Sequence, residues 1–147
     1  MTKEENAVFY TCSLIECIGR ITKNRGKDVC NMLGHDTVKK ILDFADIYHC
    51  QIIEDVAMEF ISKKEVKTGT VDVVSNCLYS IPSFWDIGKI YMRVVKLISK
   101  DENISFVDSI FKAYNSRISL KIDDYNSAFY YDYPENIFLY YKEQSLA

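Results

Sequence analysis

Glycine and proline are scarce in this chain, five and two among 147 residues, and that scarcity constrains the fold more than any other feature. An all-β chain needs a tight turn about every dozen residues, and glycine and proline supply most of them. The apolar residues instead recur three and four apart, the rhythm of a helix face. From Glu4 to Lys23 this rhythm predicts a helix with Ala7, Val8, Thr11, Cys12, Leu14, Ile15, Ile18 and Ile21 on a broad buried face. Ser13, Glu16, Arg20 and Lys23 form its narrow polar stripe, with Glu16 and Arg20 in the favourable acid-before-base order four apart. Asn24-Arg25-Gly26 ends the helix, and a short one from Lys27 to Leu33 stops at Gly34. Asp36 is a good cap for the next helix, which turns Val38, Ile41, Leu42, Ala45 and Tyr48 inward,. Another runs from Glu54 to Lys64.

Helical period is lost after Lys64, and Val66, Val71, Val73 and Val74 around Gly69 read as a short extended piece or hairpin near residues 66–81. Ser83 caps a helix through Lys100, Ser105 opens a long helix reaching Tyr125, and Asp132 caps a last helix whose first position is Pro134,. The expectation is a single all-α domain spanning residues 1–147, a compact bundle of about six to seven helices,.

The chain has the means to build a core: 48% of it is hydrophobic against 27% charged, which argues against disorder for its bulk,. The formal charge of −3 argues against a protein that grips nucleic acid mainly through phosphates,. Five cysteines, an odd number at irregular positions, do not make a secreted disulfide framework,. The polar start Met1-Thr2-Lys3-Glu4-Glu5-Asn6 is unlike a signal peptide, and no apolar run approaches a membrane span,. The cytoplasm is the expected compartment, with no membrane association.

Catalytic and metal chemistry find little support. Structural zinc sites take paired ligands from a tight turn, but Cys12 and Cys17 are five apart and no C-x-x-C occurs,. The cysteines read as small buried hydrophobes. Of the two histidines, His35 beside Gly34 reads as a loop residue, and His49 as a structural residue at the core edge, continuing the Val38–Ala45 stripe. The acids Asp43, Asp46, Asp123, Asp124, Asp132 and Glu135 read as caps and solvated faces,. No phosphate loop, nucleophile elbow or metalloprotease motif is present. No catalytic residue, metal ligand or cofactor is assigned.

Two features point to binding instead. Lys89, Arg93, Lys96 and Lys100, spaced four, three and four, put four cations on one helix face,. That face is either the solvent side of an amphipathic helix or a grip for an acidic partner or phosphates. The second feature is an aromatic tail: Tyr125, Phe129, Tyr130, Tyr131, Tyr133, Phe138, Tyr140 and Tyr141 lie within seventeen residues. Phe129-Tyr130-Tyr131 cannot all face one core, so some rings should reach the surface. Large rings with few rotors suit a protein–protein contact, while core packing competes for the same residues. The contact anchors expected from this pattern are Trp85, Tyr130, Tyr131 and Tyr133, with the Lys89–Lys100 stripe as a second, electrostatic surface.

The first half also carries a resemblance. Phe9-Tyr10-Thr11-Cys12-Ser13-Leu14-Ile15-Glu16, the basic break Lys23-Asn24-Arg25-Gly26-Lys27-Asp28-Val29, the short Cys30-Asn31-Met32-Leu33 helix and Ile47-Tyr48-His49 together resemble a small bacterial domain of unknown function. That domain is typically encoded beside a toxin-like gene of ADP-ribosyltransferase type and is regarded as its antitoxin. The similarity covers about Glu4 to Val66 and brings no catalytic residue with it. It implies a non-enzymatic protein-binding role, in which an antitoxin covers the toxin's substrate cleft. A phage or mobile-element inhibitor of another bacterial protein, and a nucleic-acid-associated regulator using the basic stripe, are the alternatives.

Overall fold

The computed structural model describes residues 1–75 and 77–146, with side chains through Gln144. It is all-helical, with 71% of the chain in helix. Among the described residues there are nine α-helices: α1 (Lys3–Thr22), α2 (Gly26–Leu33), α3 (His35–Asp43), α4 (Ala45–Tyr48), α5 (Ile53–Lys63), α6 (Phe84–Glu102), α7 (Phe106–Tyr114), α8 (Arg117–Asp123) and α9 (Pro134–Leu146). A single turn of 3₁₀ helix, Phe129–Tyr131, precedes α9. No helix is long and apolar enough to cross a membrane.

The boundaries follow local chemistry. Thr2 caps α1 by accepting from the Glu5 N–H at 3.1 Å, and α1 ends where Lys23 turns left-handed. Gly34, at φ +82°, allows the sharp turn from α2 into α3,. Ser83 and Asp86 form a reciprocal capping box on α6, Ser105 caps α7, and Pro134 takes the first position of α9,.

Three sequence expectations need correction here. The helix after Gly34 begins at His35, so Asp36 lies inside its first turn and is not its cap. That helix also breaks at Phe44, leaving α4 as a separate turn. The long helix expected from Ser105 to Tyr125 is two, interrupted at Asn115 and Ser116, whose side chains bond back to the Phe111 and Ala113 carbonyls and so compete with the helical ladder,. The count rises accordingly above six to seven.

The segment near 66–81 forms no strand among the described residues (position 76 lies outside them). Its backbone is satisfied by the end of α1 instead: Gly69 N donates to the Thr22 carbonyl at 2.8 Å and Val71 N to the Lys23 carbonyl at 2.9 Å. The side chain of Asn24 reaches the Lys67 carbonyl at 2.7 Å. These bonds satisfy groups that a hairpin would otherwise have paired.

Helix α1 is the axis of the molecule, and its largest contact is with α6. Gly88 makes that approach possible: a Cβ there would come within 2.8 Å of the Ser13 N and Cα, closer than real contacts allow. Because α2, α3 and α5 also pack on α1, every residue from Tyr10 to Gly19 is buried. The polar stripe expected to face outward is therefore inside for Ser13 and Glu16. The core continues through Ile87, Tyr91, Val94, Val95 and Ile98 of α6 to Ile110, Tyr114, Ile118, Ile122 and Ile137. Tyr91 and Tyr114 stack at its centre with ring centroids 4.0 Å apart.

Candidate functional site

The capping box that starts α6 sets the geometry of the most promising surface. Ser83 Oγ accepts from Asp86 N at 3.0 Å, and Asp86 Oδ2 accepts from Ser83 N at 2.9 Å. With α6 anchored in this register, Asp86, Lys89, Ile90 and Arg93 fall on successive turns of one face. Opposite them stand Tyr130 and Tyr131 of the 3₁₀ turn, then Asp132, Pro134 and the buried Ile137. Ser80, Ile81 and Pro82 close the groove at one end. Two bonds hold this end in place: Arg20 Nη2 donates to the Pro82 carbonyl at 2.6 Å, and Leu78 N donates to Asn126 Oδ1 at 2.7 Å. The resulting groove has a volume of about 500 Å³.

Its charges are not equivalent. Asp86 is engaged by its own helix cap. Asp132 Oδ1 accepts from Tyr133 N at 2.7 Å and from Asn136 Nδ2 at 3.0 Å, ordering the entrance to α9 from one residue before its cap. Lys89 and Arg93 are exposed and form no salt bridge among the described residues. The groove thus holds two hydrogen-bonded acids and two cations without a salt bridge among the described residues, beside the apolar Pro82, Ile90 and Ile137. Among the lining side chains Tyr131 is 69% exposed and Ile81 48%; Tyr133 and Tyr79, next to lining residues in the chain, are 75% and 70% exposed. Tyr130 is half-buried, edge-on to Tyr131 with centroids 4.8 Å apart, and burial raises its phenol above the ordinary value.

Four of the residues singled out in the sequence, Lys89, Arg93, Tyr130 and Tyr131, come together in this groove, which joins the basic stripe to the aromatic tail. Tyr133, between the lining residues Asp132 and Pro134 in the chain, is exposed but does not line it. The others lie elsewhere. Trp85 packs with Phe9, Phe84 and His49 at centroid distances of 5.6, 5.4 and 6.1 Å. Lys96 turns toward α1 and pairs with Glu5 at 3.2 Å, and Lys100 is exposed near the far end of α6. Ser80, Ile81, Pro82 and Ile137 were not singled out; the aperiodic stretch before Ser83 carries no signal of where it docks.

A second hollow, of about 650 Å³, is bordered by Tyr10, Asp43, Asp46, His49 and Cys50. Its reactive groups are not aligned as a relay. The His49 ring stacks on Tyr10 at 5.3 Å, the exposed Cys50 thiol donates to the Asp46 carbonyl at 3.4 Å, and Asp43 pairs with Lys39 at 2.7 Å. His49 is thus exposed and held by ring stacking, and Cys50 is not the buried hydrophobe its residue type suggested. His35, expected in a loop, opens α3 and meets Asp108 Oδ1 at 3.0 Å. Among the described residues no three His, Cys, Asp or Glu side chains are grouped to hold a metal ion.

The strongest electrostatic perturbation lies in the interior. Glu16 is pushed up to about 8 by burial, with the Asp123 charge adding to the rise. Tyr114 donates to its Oε2 at 2.8 Å. Beside it Arg25 pairs with Asp123 at 2.7 Å and reaches Ser119 Oγ at 3.4 Å, while Arg20 donates to Tyr125 at 3.2 Å. Burial raises the Asp123 carboxyl against the pull of Arg25. Glu16 borders none of the surface hollows described above. Its neighbours belong to α1, α2, α7 and α8, so the network ties helices together.

No family model matches the chain, and neither does any curated protein or solved structure.

Proposed function

We propose that this chain is a protein-binding module that performs no bond chemistry of its own, and that the groove between α6 and the Phe129–Tyr131 turn is its contact face. One observation carries the reading: two cations with no salt bridge among the described residues and the rings of the half-buried Tyr130 and exposed Tyr131, far apart in sequence, line a single groove. Arginine and tyrosine are enriched where proteins bind each other: tyrosine offers a large rigid ring, and arginine a planar fork of directed hydrogen bonds. Exposed apolar rings rimmed by polar groups are a common mark of such surfaces.

The resemblance over Glu4 to Val66 makes an ADP-ribosyltransferase-type toxin the first partner to test, with the chain acting as antitoxin by covering the toxin's substrate cleft. The resembling segment supports the groove without lining it, since Arg20 of α1 holds the Pro82 wall in place. The test is co-expression of the chain with a toxin encoded beside it. Support would be a complex that survives size-exclusion chromatography, relief of growth arrest, and loss of both on replacing Tyr131 and Tyr133 by alanine. Separate elution together with unrelieved toxicity would remove the toxin as partner. An inhibitor of a different bacterial protein would use the same face on another target.

A further inference from the structure

We infer that the groove recognises an acidic, extended segment of the partner protein, seating carboxylates on Lys89 and Arg93 and an apolar side chain against Ile81, Ile90 and Tyr131. This rests on reading the chain as a binding module and goes further by naming the chemistry that the partner must present.

Charge complementarity carries the argument. Four ionised side chains line the groove, but the two acids are already engaged. Asp86 completes the α6 capping box, and Asp132 holds Tyr133 N and the Asn136 amide. Both keep their charge, but neither forms a salt bridge with Lys89 or Arg93 among the described residues. Lys89 and Arg93 are both exposed and have no salt-bridge partner among the described residues. Being four apart on α6, they lie about 6 Å from each other at the Cβ atoms. Alternate side chains on one face of an extended strand repeat at about 7 Å, so two carboxylates on such a strand match the two cations. Arg93 can hold its carboxylate through two parallel N–H donors, and Lys89 acts as a point charge. The floor and walls are apolar, Pro82, Ile90, Ile137 and Ile81, and this suits an aliphatic or aromatic side chain beside the acids.

A nucleic-acid strand fits less well. Polyanion binding needs a run of cations tracking the backbone, whereas only Lys89 and Arg93 line the groove and Lys96 is drawn away to Glu5.

The experiment titrates the full chain, ¹⁵N-labelled, with a blocked peptide of glutamates flanking a Trp-Leu pair, its all-glutamine counterpart, and a single-stranded oligonucleotide. The Lys89→Glu/Arg93→Glu double variant and a Lys100→Glu control are run beside it, with circular dichroism to verify folding. The expected result is amide shifts confined to residues 80–93 and 129–137 with the acidic peptide. Affinity should fall about tenfold for each reversed cation, stay unchanged for Lys100→Glu, and vanish with the glutamine peptide. Equal shifts from the glutamine peptide, displacement by the oligonucleotide, shifts elsewhere on the surface, or no shift at millimolar acidic peptide would each overturn the inference. A protein partner retained in full by the double variant sinks acid recognition alone. A chain that captures no partner on co-expression sinks the binding-module reading instead.

Discussion

Replacing Glu16 by glutamine should remove a specific pH dependence from the stability of this protein. In the unfolded chain this carboxyl titrates near 4.5, while in the folded protein burial carries it to about 8. The folded state therefore binds a proton that the unfolded state has lost across that window. The associated stability is fully present below pH 4.5, declines as pH rises, and is gone above about 8. Each pH unit in between is worth about 1.4 kcal/mol, so the whole window amounts to about 4 to 5 kcal/mol, a large share of a domain's typical 5–15 kcal/mol. Glutamine has the shape of the protonated acid and can still accept the Tyr114 hydroxyl, but it has no proton to lose. At pH 4.5 Glu16→Gln should lie within about 1 kcal/mol of the parent, and near pH 8 it should be the more stable by about 4 kcal/mol. Urea unfolding of both proteins at several pH values, followed by Trp85 fluorescence and far-UV circular dichroism, measures the difference, in which groups distant from Glu16 cancel and the neighbouring Asp123 responds with it. Parallel stability curves from pH 5 to 8 would refute a neutral buried Glu16. So would a variant several kcal/mol weaker at pH 5, since that would mean the core needs a carboxylate for Arg20 and Arg25.

Three further outcomes follow from the packing. Gly88→Ala drives a methyl into Ser13 and its backbone, and should cost about 1–3 kcal/mol in denaturant unfolding, as overpacking does; a neutral result would mean that α1 and α6 separate freely. Ser83→Ala removes the hydroxyl half of the α6 capping box and should cost about 1 kcal/mol, read as a lower thermal midpoint. Thiol labelling of the native protein should modify the exposed Cys50 quickly and the half-exposed Cys77 more slowly, with Cys12, Cys17 and Cys30 reacting only on unfolding,. Burial lifts Cys17 to about 11 and Cys30 to about 12, and fast native labelling of either would contradict their packing.

Much of the fold is legible in local chemistry. The scarcity of glycine and proline, the three-and-four apolar rhythm, Gly34, Ser83 and Pro134 act within a turn or two of themselves, and α1, α2, α6 and α9 lie close to where the pattern puts them, while the helices expected after Gly34 and Ser105 break partway. The exposed Tyr131 in the Phe129-Tyr130-Tyr131 run is legible for the same reason, because three consecutive rings cannot share one face. The two candidate contact sets were also visible, as Lys89–Lys100 and the tyrosine-rich tail.

Other features depended on what each helix meets. Periodicity shows that Ser13 and Glu16 share a stripe, but only the packing of α6 on one side and Tyr114 on another turns that stripe inward and makes a neutral acid out of Glu16. Charge spacing places Lys89, Arg93, Lys96 and Lys100 on one face, yet the neighbour reached by each decides its role: Glu5 takes Lys96, while Lys89 and Arg93 are left beside Tyr130 and Tyr131. Propensity, capping and helical phase are set by residues within four positions of one another, so the sequence alone determined a helix-dominated chain and the helix starts after Ser83, after Ser105 and at Pro134. A groove made from residues 80–93 and 129–137 depends on contacts across some forty positions, and only the tertiary structure could decide which charges in it are spoken for.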